Sequence, residues 1–479
     1  MVTFLTSSSS TKITFYGSKY CVLLPVIVFL IITVYLFIFA RAFDMNALAM
    51  GGFLGLVAGA CACKNWINYW NGAISGIATE LTGILVCILV FAGIFSNMMK
   101  AGGIANGFVW LGLETGITGA HFCAFTFVAS AIIATSTGTS IGTIFTCVPV
   151  FFAAGVQLGA DPAMLAGAIL SGAIFGDNLA PVSDVTVISA STQTYQESGA
   201  TAEVGGVVVS RLPYALIAGA LTFPIYFFFG GDGAVNFSSI EGASPASLIM
   251  LLPVILLVVV ASISKNIFLA LIVGTISGVI IGLFTHQFNV EQLFSVHDGQ
   301  VSGFLYLGVS DMAGTIMLCL SLFAVIGILD KSGTLDSITQ KLAQTSNQTM
   351  SPIRAEIILA IGAMICSTVL AGVTSASTIM FGPIADKIGR LAGLHPFRRS
   401  HIISAMANSI PVILPFSAFV FIVMIAVKNQ AMSDSISPFT LFYSSLYPWA
   451  LFIVFAISIV TGLGRRFEGK NRQALKRVD

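Results

Sequence analysis

The sequence predicts an all-α polytopic membrane protein made of two inverted-topology repeats, and three observations lead to this prediction. The 479-residue chain is 56% hydrophobic and only 9% charged, whereas soluble domains carry about 25% charged residues. Eight apolar runs are long enough to cross about 30 Å of hydrocarbon as helices. When the chain is aligned with itself, prolines and glycines coincide 234 positions apart. A soluble globular protein is therefore excluded.

The charge balance and the cysteines exclude two further classes of protein. Lys and Arg number 21 against 20 Asp and Glu, so the chain has no bulk basic field for nucleic acid. The eight cysteines lie in or beside apolar runs, without the C-x-x-C spacing of zinc or redox sites. We therefore expect no cofactor and no nucleic-acid partner.

The uninterrupted apolar runs are predicted to be membrane-spanning helices. The first, 21–40, is about twice as long as the apolar part of a secretory signal, and Arg41 follows it instead of a small-residue cleavage site. We expect this run to be retained as a span. The polar segments 103–117 and 334–350 are expected to be interfacial helices. The other predicted spans are 45–63, 81–98, 212–229, 247–263, 266–285, 312–329 and 441–462.

Four further apolar stretches are interrupted by Gly, Pro, Ser or Thr. Backbone groups freed at such breaks cannot be satisfied by lipid, so the breaks must be buried in protein or line a wet cavity. We expect 119–155 and 355–385 to be re-entrant hairpins, and 164–192 and 400–427 to be helices that cross but are discontinuous at the midplane. The residues predicted to form the breaks are Gly138, Gly176, Pro181, Gly372, Pro411 and Pro415.

The coincident residues divide the chain into two halves, 1–235 and 236–479. Segment 386–399 carries four Lys and Arg, whereas its counterpart 152–165 carries none, so the positive-inside bias puts them on opposite sides. Five crossings and one hairpin in each half, about ten crossings in all, would invert the second half as in inverted-repeat transporters. The matched pairs include Gly138 with Gly372, Pro149 with Pro383, Pro181 with Pro415 and Ser183 with Ser417.

The distribution of basic residues predicts the orientation in the membrane. With both termini cytoplasmic, the inner loops hold 18 of the 21 Lys and Arg. The tail from Arg465 to Arg477 supplies six of these. We therefore expect a multi-pass protein of the cell (inner) membrane with its N- and C-termini in the cytoplasm.

The first discontinuous helix carries the acidic chemistry. A charged carboxylate at membrane depth costs at least about 2.5–3.5 kcal/mol, which protonation or a bound cation relieves. A proton and a cation exclude each other on one carboxylate, so the break favours Na⁺/H⁺ exchange. Alternatively, an Asp here only caps the second half-helix. The candidate ion and proton ligands are Asp177, Asp184, Ser183, Asn178, Thr139, Ser140 and Thr143.

The second half offers neutral polar groups and leaves a second function open. Helix N-termini at both hairpin tips, with no Arg expected at the midplane, would let backbone N–H groups hold a carboxylate. The alternative function is thus a Na⁺- or H⁺-coupled transporter of a small organic acid or amino acid. The candidate second-half substrate residues are Thr374, Ser375, Ser377, Asn408 and Ser417.

Two other classes fit the sequence less well. An aspartyl intramembrane protease would need G-x-G-D with a partner Y-D, and a metalloprotease would need H-E-x-x-H; none of these occurs. We therefore expect no enzyme activity. A simple channel stays open as an alternative, although it gives no role to acids confined to one half.

The motif G-D-N-L-A-P-V-S-D at 176–184 resembles the NhaC family of Na⁺/H⁺ antiporters, whose form is G-D-K-x-S-P-x-S-D-T-T. G-T-S-I-G-T at 138–143 is similar to a second motif of that family, and 408–417 is a weaker match to a third. The resemblance implies the wider ion transporter superfamily, with inverted repeats, re-entrant hairpins, elevator movement of a transport domain and often a homodimer. The positions carried over are Asp177, Pro181, Ser183 and Asp184.

The resemblance also has departures that bear on the ion site. Asn178 stands where the family has Lys, and Ala180 stands where it has Ser. The missing Lys makes the motif one charge more negative, which favours a cation but alters the charge balance on which stoichiometry depends.

Overall fold

A computed structural model describes residues 13–16, 18–36, 40, 45–181, 183–233, 243–264, 266–297, 299–333, 350–428 and 436–476. The described chain is mostly helical. It also contains two short antiparallel β-hairpins, which the all-α prediction omitted. In the first, β1 (Ser295–His297) pairs with β2 (Gln300–Ser302). In the second, β3 (Phe467–Glu468) pairs with β4 (Ala474–Leu475).

The chain forms two compact units, and each takes segments from both halves of the sequence. The first comprises Met1–Val86 and Ala313–Lys341, and the second comprises Cys87–Met312 and Leu342–Asp479. The compact units are therefore not the same divisions as the sequence repeats.

The first unit contains α1 (Leu24–Val34), α2 (Met45–Cys61), α3 (Trp66–Ile77) and α16 (Ala313–Lys331), and α16 packs against α2 and α3. A short 3₁₀ turn, Lys19–Leu23, precedes α1. Gly76 permits the contact between α3 and α16, because a Cβ there would lie 2.8 Å from the Gly327 Cα. The boundary between the units falls within α4 (Glu80–Ala101).

The second unit holds the first hairpin and the first broken helix. Gly138, with φ of 72°, ends α6, and the chain resumes as a helix at Ser140. A π-helical turn, Val148–Phe152, links α7 to α8. The elements of this part are α5 (Ile104–Thr115), α6 (Gly119–Thr137), α7 (Ser140–Cys147), α8 (Ala153–Gln157), α9 (Pro162–Leu179), α10 (Asp184–Ser191) and α11 (Val204–Phe229).

The rest of the second unit continues through a 3₁₀ turn, Pro245–Met250, and a series of helices. The middle helices are α12 (Leu251–Ser264), α13 (Ile267–Phe284), α14 (Val290–Leu293) and α15 (Phe304–Ser310). The C-terminal helices are α17 (Pro352–Val369), α18 (Thr374–Leu391), α19 (Pro396–Ala407), α20 (Ile410–Ile413), α21 (Ala418–Lys428), α22 (Pro438–Ser444) and α23 (Leu446–Thr461).

Four helix starts recur at the same offset that relates the prolines and glycines of the two halves. They are α7 and α18, α9 and α19, α10 and α21, and α11 and α22. The two sets also pack crosswise, because α7 contacts α21 and α10 contacts α18. Each broken helix therefore has its second piece against the hairpin of the other half. The inverted orientation of the halves stays a prediction.

Among the described residues, five helices are long and apolar enough to cross a membrane, and bent pairs raise the number to as many as eight. One pair joins 86–101 to 104–115 at 57°, so the segment predicted as a separate interfacial helix adjoins a longer one. Both arms of the first hairpin, 119–137 and 140–157, are long enough to cross singly. Re-entrance and the number of crossings thus stay predictions, and the segment 334–350 lies almost wholly outside the described residues.

Candidate functional site

The first break is built from residues that stop one helix and start another. Ala180 is extended and ends α9, and Pro181, which has no N–H to continue the helix, follows it. Ser183 is also extended and occupies the N-cap of α10. Nearby, Thr139 caps α7 by accepting a hydrogen bond from the Gly142 N–H at 3.4 Å. The end of α9 and the starts of α7 and α10 therefore lie close together at this break.

Asp177 lies in that last turn and is only 6% exposed. Its Oδ1 accepts a hydrogen bond of 2.5 Å from the Ser183 hydroxyl, and its Oδ2 accepts one of 2.7 Å from the Ser140 hydroxyl. Ser140 is the first residue of α7, and Ser183 is the N-cap of α10. The carboxylate therefore joins the tip of the hairpin to both sides of the broken helix.

A glycine immediately before Asp177 makes this geometry possible. A Cβ on Gly176 would lie 2.6 Å from the Ala134 carbonyl carbon of α6. Because that neighbour is backbone, a larger residue could be accommodated only by separating the two helices. Gly176 thus keeps Asp177 within reach of the hairpin that α6 begins.

Arg211 is a site residue that the sequence interpretation missed. It is fully buried in α11, and its guanidinium donates to the Asn178 carbonyl at 2.7 Å, to Thr186 Oγ1 at 3.2 Å and to Ser189 Oγ at 3.2 Å. The predicted span began at 212, which left Arg211 in a loop. The usable signal was the apolar run V-V-V on its N-terminal side, which extends the helix past the charge.

Arg211 corrects two expectations. The breaks do not lack an arginine, because this one contacts both pieces of the first broken helix. It also supplies a positive charge beside Asn178, where the family motif has Lys. The count of Lys and Arg in the inner loops was wrong for the same reason at Arg398 and Arg399. Both are buried within α19 and do not lie in a loop.

The predicted ligands do not form one cage. Asp184 begins α10, is exposed, and makes no side-chain hydrogen bond to a described residue. Asn178 donates from Nδ2 to the Tyr447 hydroxyl at 3.3 Å, on α23. Thr143 donates to the Thr139 carbonyl at 2.8 Å, within the hairpin. Of the seven predicted residues, only Asp177, Ser140 and Ser183 are linked to one another by hydrogen bonds between side chains.

The second break has a similar frame without an acid. Gly372 has φ of 80°, and a Cβ on it would lie 3.2 Å from the Ser417 Cβ. The Ala418 N–H donates to the Ala371 carbonyl at 2.8 Å, so the hairpin tip contacts the break. The Ser417 hydroxyl donates to the Val412 carbonyl at 2.5 Å instead of to a carboxylate. Pro411 is the counterpart of Asp177 in the repeat, and Pro415 lies in the turn that follows it.

Among the predicted second-half residues, Asn408 is the one whose buried side-chain polar atoms lack partners among the described residues. It is 1% exposed, and neither its amide oxygen nor its amide nitrogen has a hydrogen-bond partner in the described part of the chain. By contrast, the Ser377 hydroxyl donates to the Thr374 carbonyl at 2.9 Å. Ser375 is half-buried and forms no side-chain hydrogen bond to a described residue.

The first site suits a hard cation or a proton more than a transition metal. No group of three His, Cys, Asp or Glu side chains in the described ranges could hold a metal ion. A carboxylate with two hydroxyl oxygens is instead the type of ligand that hard cations prefer. The helix starts at Ser140 and Asp184 add positive ends of helix dipoles, which stabilise the ionised carboxylate.

Apolar helices that break around a buried, hydrogen-bonded acid place the protein in the class of multi-pass membrane transporters. Residues 6–231 match the model of the Na⁺/H⁺ antiporter family. The chain is 28% identical over 330 residues to the malate-2H⁺/Na⁺-lactate antiporter of Bacillus subtilis (strain 168), covering 64% of this chain and 69% of the relative. The resemblance to antiporters thus extends well beyond the motifs.

Two further relatives are named as Na⁺/H⁺ antiporters. An uncharacterized Na⁺/H⁺ antiporter of Haemophilus influenzae is 24% identical over 446 residues, covering 85% of this chain and 87% of the relative. The Na⁺/H⁺ antiporter NhaC of Alkalihalophilus pseudofirmus is 24% identical over 305 residues, covering 58% and 62% respectively. The predicted resemblance to the NhaC family is confirmed, and these relatives that the chain matches are named as antiporters, not enzymes.

Proposed function

We propose that this protein exchanges Na⁺ for protons at Asp177 by alternating access. The observation that supports this most directly is the buried Asp177 carboxylate, both of whose oxygens accept hydrogen bonds from serines on separate segments. An acid whose only role was to cap a half-helix would bind backbone N–H groups at the start of that helix. Asp177 instead lies at the end of α9 and binds side chains.

The two cargo ions compete for the same oxygens. Each serine hydroxyl that donates to the carboxylate keeps lone pairs, which together with the carboxylate can coordinate Na⁺. A proton on the carboxylate converts one oxygen from an acceptor to a donor, so one serine hydroxyl must rotate and accept from it, which uses a lone pair that Na⁺ would need. Asp177 therefore holds either Na⁺ or a proton, and release of one favours uptake of the other.

Arg211 stabilises the site when it holds neither ion. An uncompensated carboxylate at membrane depth costs at least about 2.5–3.5 kcal/mol. The Arg211 guanidinium, bound to the carbonyl of the next residue, stabilises the ionised carboxylate in that empty state. Its charge also weakens Na⁺ binding by repulsion, so Na⁺ can leave.

The crosswise packing supports movement of the hairpins and broken helices together. Because α7 contacts α21 and α10 contacts α18, a shift of either hairpin would carry the broken helix of the other half. We propose that these elements form the moving part of an elevator mechanism, in a homodimer of the cell inner membrane with both termini cytoplasmic. Asp184, exposed near Asp177, would attract cations to the entrance.

Transport in proteoliposomes tests the exchange. Purified protein is reconstituted with a pH-sensitive dye inside the vesicles, and Na⁺ is added outside without any organic substrate. We expect an outward flow of protons that depends on Na⁺ concentration. The absence of any Na⁺-dependent pH change in these vesicles would contradict the proposal.

A coupled organic-acid antiporter is the second candidate, and Asn408 favours it. The buried Asn408 amide has a donor and an acceptor without partners in the described chain, and the Bacillus subtilis relative is named for malate and lactate. In the same vesicles, a proton flux that appears only when lactate or malate is supplied would select this candidate. Asn408→Ala should then abolish the organic-acid dependence.

A further inference from the structure

A cavity of about 330 Å³ lies apart from the Asp177 site, between α11, α19 and the segment that follows α23. Its lining includes Ser210, His395, Arg398, His401 and Arg466, and it contains no Asp or Glu. Pockets that hold small ligands have volumes from about 300 Å³ upwards, so this one is at the lower end of their range. The lining is thus basic and of a size for a small molecule.

The charge around this cavity is positive because one acid is shared by two arginines. Glu356 accepts from Arg398 Nε at 2.7 Å and from Arg465 Nη2 at 2.7 Å, which uses both of its oxygens. Arg466 forms no ion pair or side-chain hydrogen bond with a described residue. Of the two arginines in the lining, Arg398 is thus paired with an acid and Arg466 is not. Burial lowers the pKa of His395, so at neutral pH this side chain adds no charge to the lining.

The cavity also contains residues with unpaired polar atoms. Arg398 Nη2 and His401 Nδ1 are buried and have no hydrogen-bond partner in the part of the chain that the structure describes. His401 Nε2 lies 3.1 Å from the Val207 carbonyl, which can only accept, so Nε2 carries the proton. Nδ1 is therefore an acceptor, while Arg398 Nη2 is a donor.

We propose that this cavity binds a small oxyanion that also bears a hydroxyl group, such as monohydrogen phosphate or a hydroxycarboxylate. Its charged oxygens accept from Arg398 and Arg466, and its hydroxyl donates to His401 Nδ1. The arginine fork matches carboxylate and phosphate oxygens alike. Because Gly464, Arg466 and Ala474 belong to the segment after α23, the bound anion joins that segment to α11 and α19.

Ser210 connects the cavity to the ion site. Its hydroxyl lies 2.6 Å from His401 Nε2, and the next residue, Arg211, holds the first broken helix. Occupation of the cavity therefore acts on the same turn of α11 that orients the charge beside Asp177. Binding of the anion in this cavity would therefore affect the exchange site.

Anion titration of the purified full-length protein tests the proposal. Thermal unfolding is followed while sodium phosphate or sodium lactate is added, with two sodium chloride references, one at equal ionic strength and one at equal Na⁺. We expect a saturable rise in Tm with phosphate, with lactate or with both, and the arm that responds identifies the source of the oxyanion. No saturable rise over chloride in either arm would overturn the proposal.

Variants distinguish this site from the exchange site. Arg466→Gln should weaken the anion response at least tenfold while leaving Tm in chloride unchanged, because Arg466 pairs with no described residue. Arg472→Gln, in the same segment but paired with Glu203 at 3.3 Å, should keep the anion affinity. Asp177→Asn should also keep it, so the failure of the exchange proposal would leave this one standing. An undiminished response in Arg466→Gln would contradict the assignment.

Discussion

The two helix breaks of the second unit have the same frame and different contents. At matched positions of the repeat, the first has Asp177 and the second has Pro411. Ser183 donates to the Asp177 carboxylate, whereas Ser417 donates to the backbone carbonyl of Val412. Each break contacts a hairpin, and the tip of that hairpin contains a glycine of positive φ. A shared backbone frame can thus carry an ion site in one copy and a neutral turn in the other.

The comparison separates structural groups from chemical ones. In the second break the serine hydroxyl satisfies the backbone that the break exposes. In the first break it is directed to a side chain that can change its charge. Since the backbone frame is common, substitutions at matched positions should change transport in one half and only stability in the other.

The sharpest contrast comes from removing the acid. Asp177→Asn should lower Na⁺-dependent proton flux about 100-fold or more, because an amide cannot take up a proton and lacks the charge that binds Na⁺. The measurement is dye-reported flux in proteoliposomes at matched protein content. Asp161→Asn is the matched control, since Asp161 only caps α9 by accepting from the Met164 N–H at 2.8 Å, which Asn also does. Normal flux in Asp177→Asn would remove this residue from the mechanism.

The paired serines give the next largest effect. Ser183→Ala should weaken the apparent affinity for Na⁺ about tenfold or more, because hydrogen bonds to charged groups contribute about 1.5–3 kcal/mol. Ser417→Ala should leave that affinity unchanged and lower stability by about 1 kcal/mol, because its partner is a neutral carbonyl. Flux is measured over a Na⁺ titration and Tm in detergent. Equal losses of affinity in the two variants would mean that the breaks do not differ as described.

A third contrast concerns packing. Gly176→Ala should destabilise the protein by about 1–3 kcal/mol, because the added methyl group would overlap the backbone of α6. Its counterpart in the repeat is Ile410, so the second break has no such requirement. Thermal unfolding in detergent measures the difference. Gly205→Ala is the control, because nothing lies within 4 Å of a Cβ at that position; a similar loss there would point to a general effect of alanine.

The smallest expected effect distinguishes the caps of the two broken helices by pH. His395 caps α19 by accepting at Nδ1 from the Phe397 N–H at 3.2 Å, where α9 has Asp161. Burial lowers the pKa of His395, so its contribution to stability is complete above the ordinary value of about 6.5. That contribution is lost as the pH falls from there through the lower value of the folded protein, because protonated Nδ1 cannot accept.

Hydrogen exchange at two pH values measures this effect. After correction for intrinsic rates, amides at the start of α19 should exchange a few-fold faster at pH 5.5 than at pH 7.5, which corresponds to about 1 kcal/mol for a lost cap. Amides at the start of α9 serve as the internal reference and should change less. An equal change at both helix starts would show that His395 is not responsible.

Much of the architecture was predictable because it depends on local composition. Apolar runs predicted helices, and the Gly and Pro clusters predicted where α6, α9 and α17 would end. Other features depend on contacts between distant segments. Asp184 looked equivalent to Asp177 in the motif, but it lies on the exposed side of the start of α10. Arg398 and Arg399 looked like loop charges, but Glu356 and Asp386 pair with them inside the protein.

By itself, the sequence determined that this chain lies in a membrane, that its helices break at repeated places, and that one break contains acids. These properties follow from hydrophobicity and from the backbone restrictions of glycine and proline, which act over a few residues. Tertiary structure alone decided that Ser140 and Ser183 would bind Asp177 and that Arg211 would lie beside it. Helices brought together from distant parts of the chain create these contacts, and side-chain packing, which no local pattern encodes, sets their geometry.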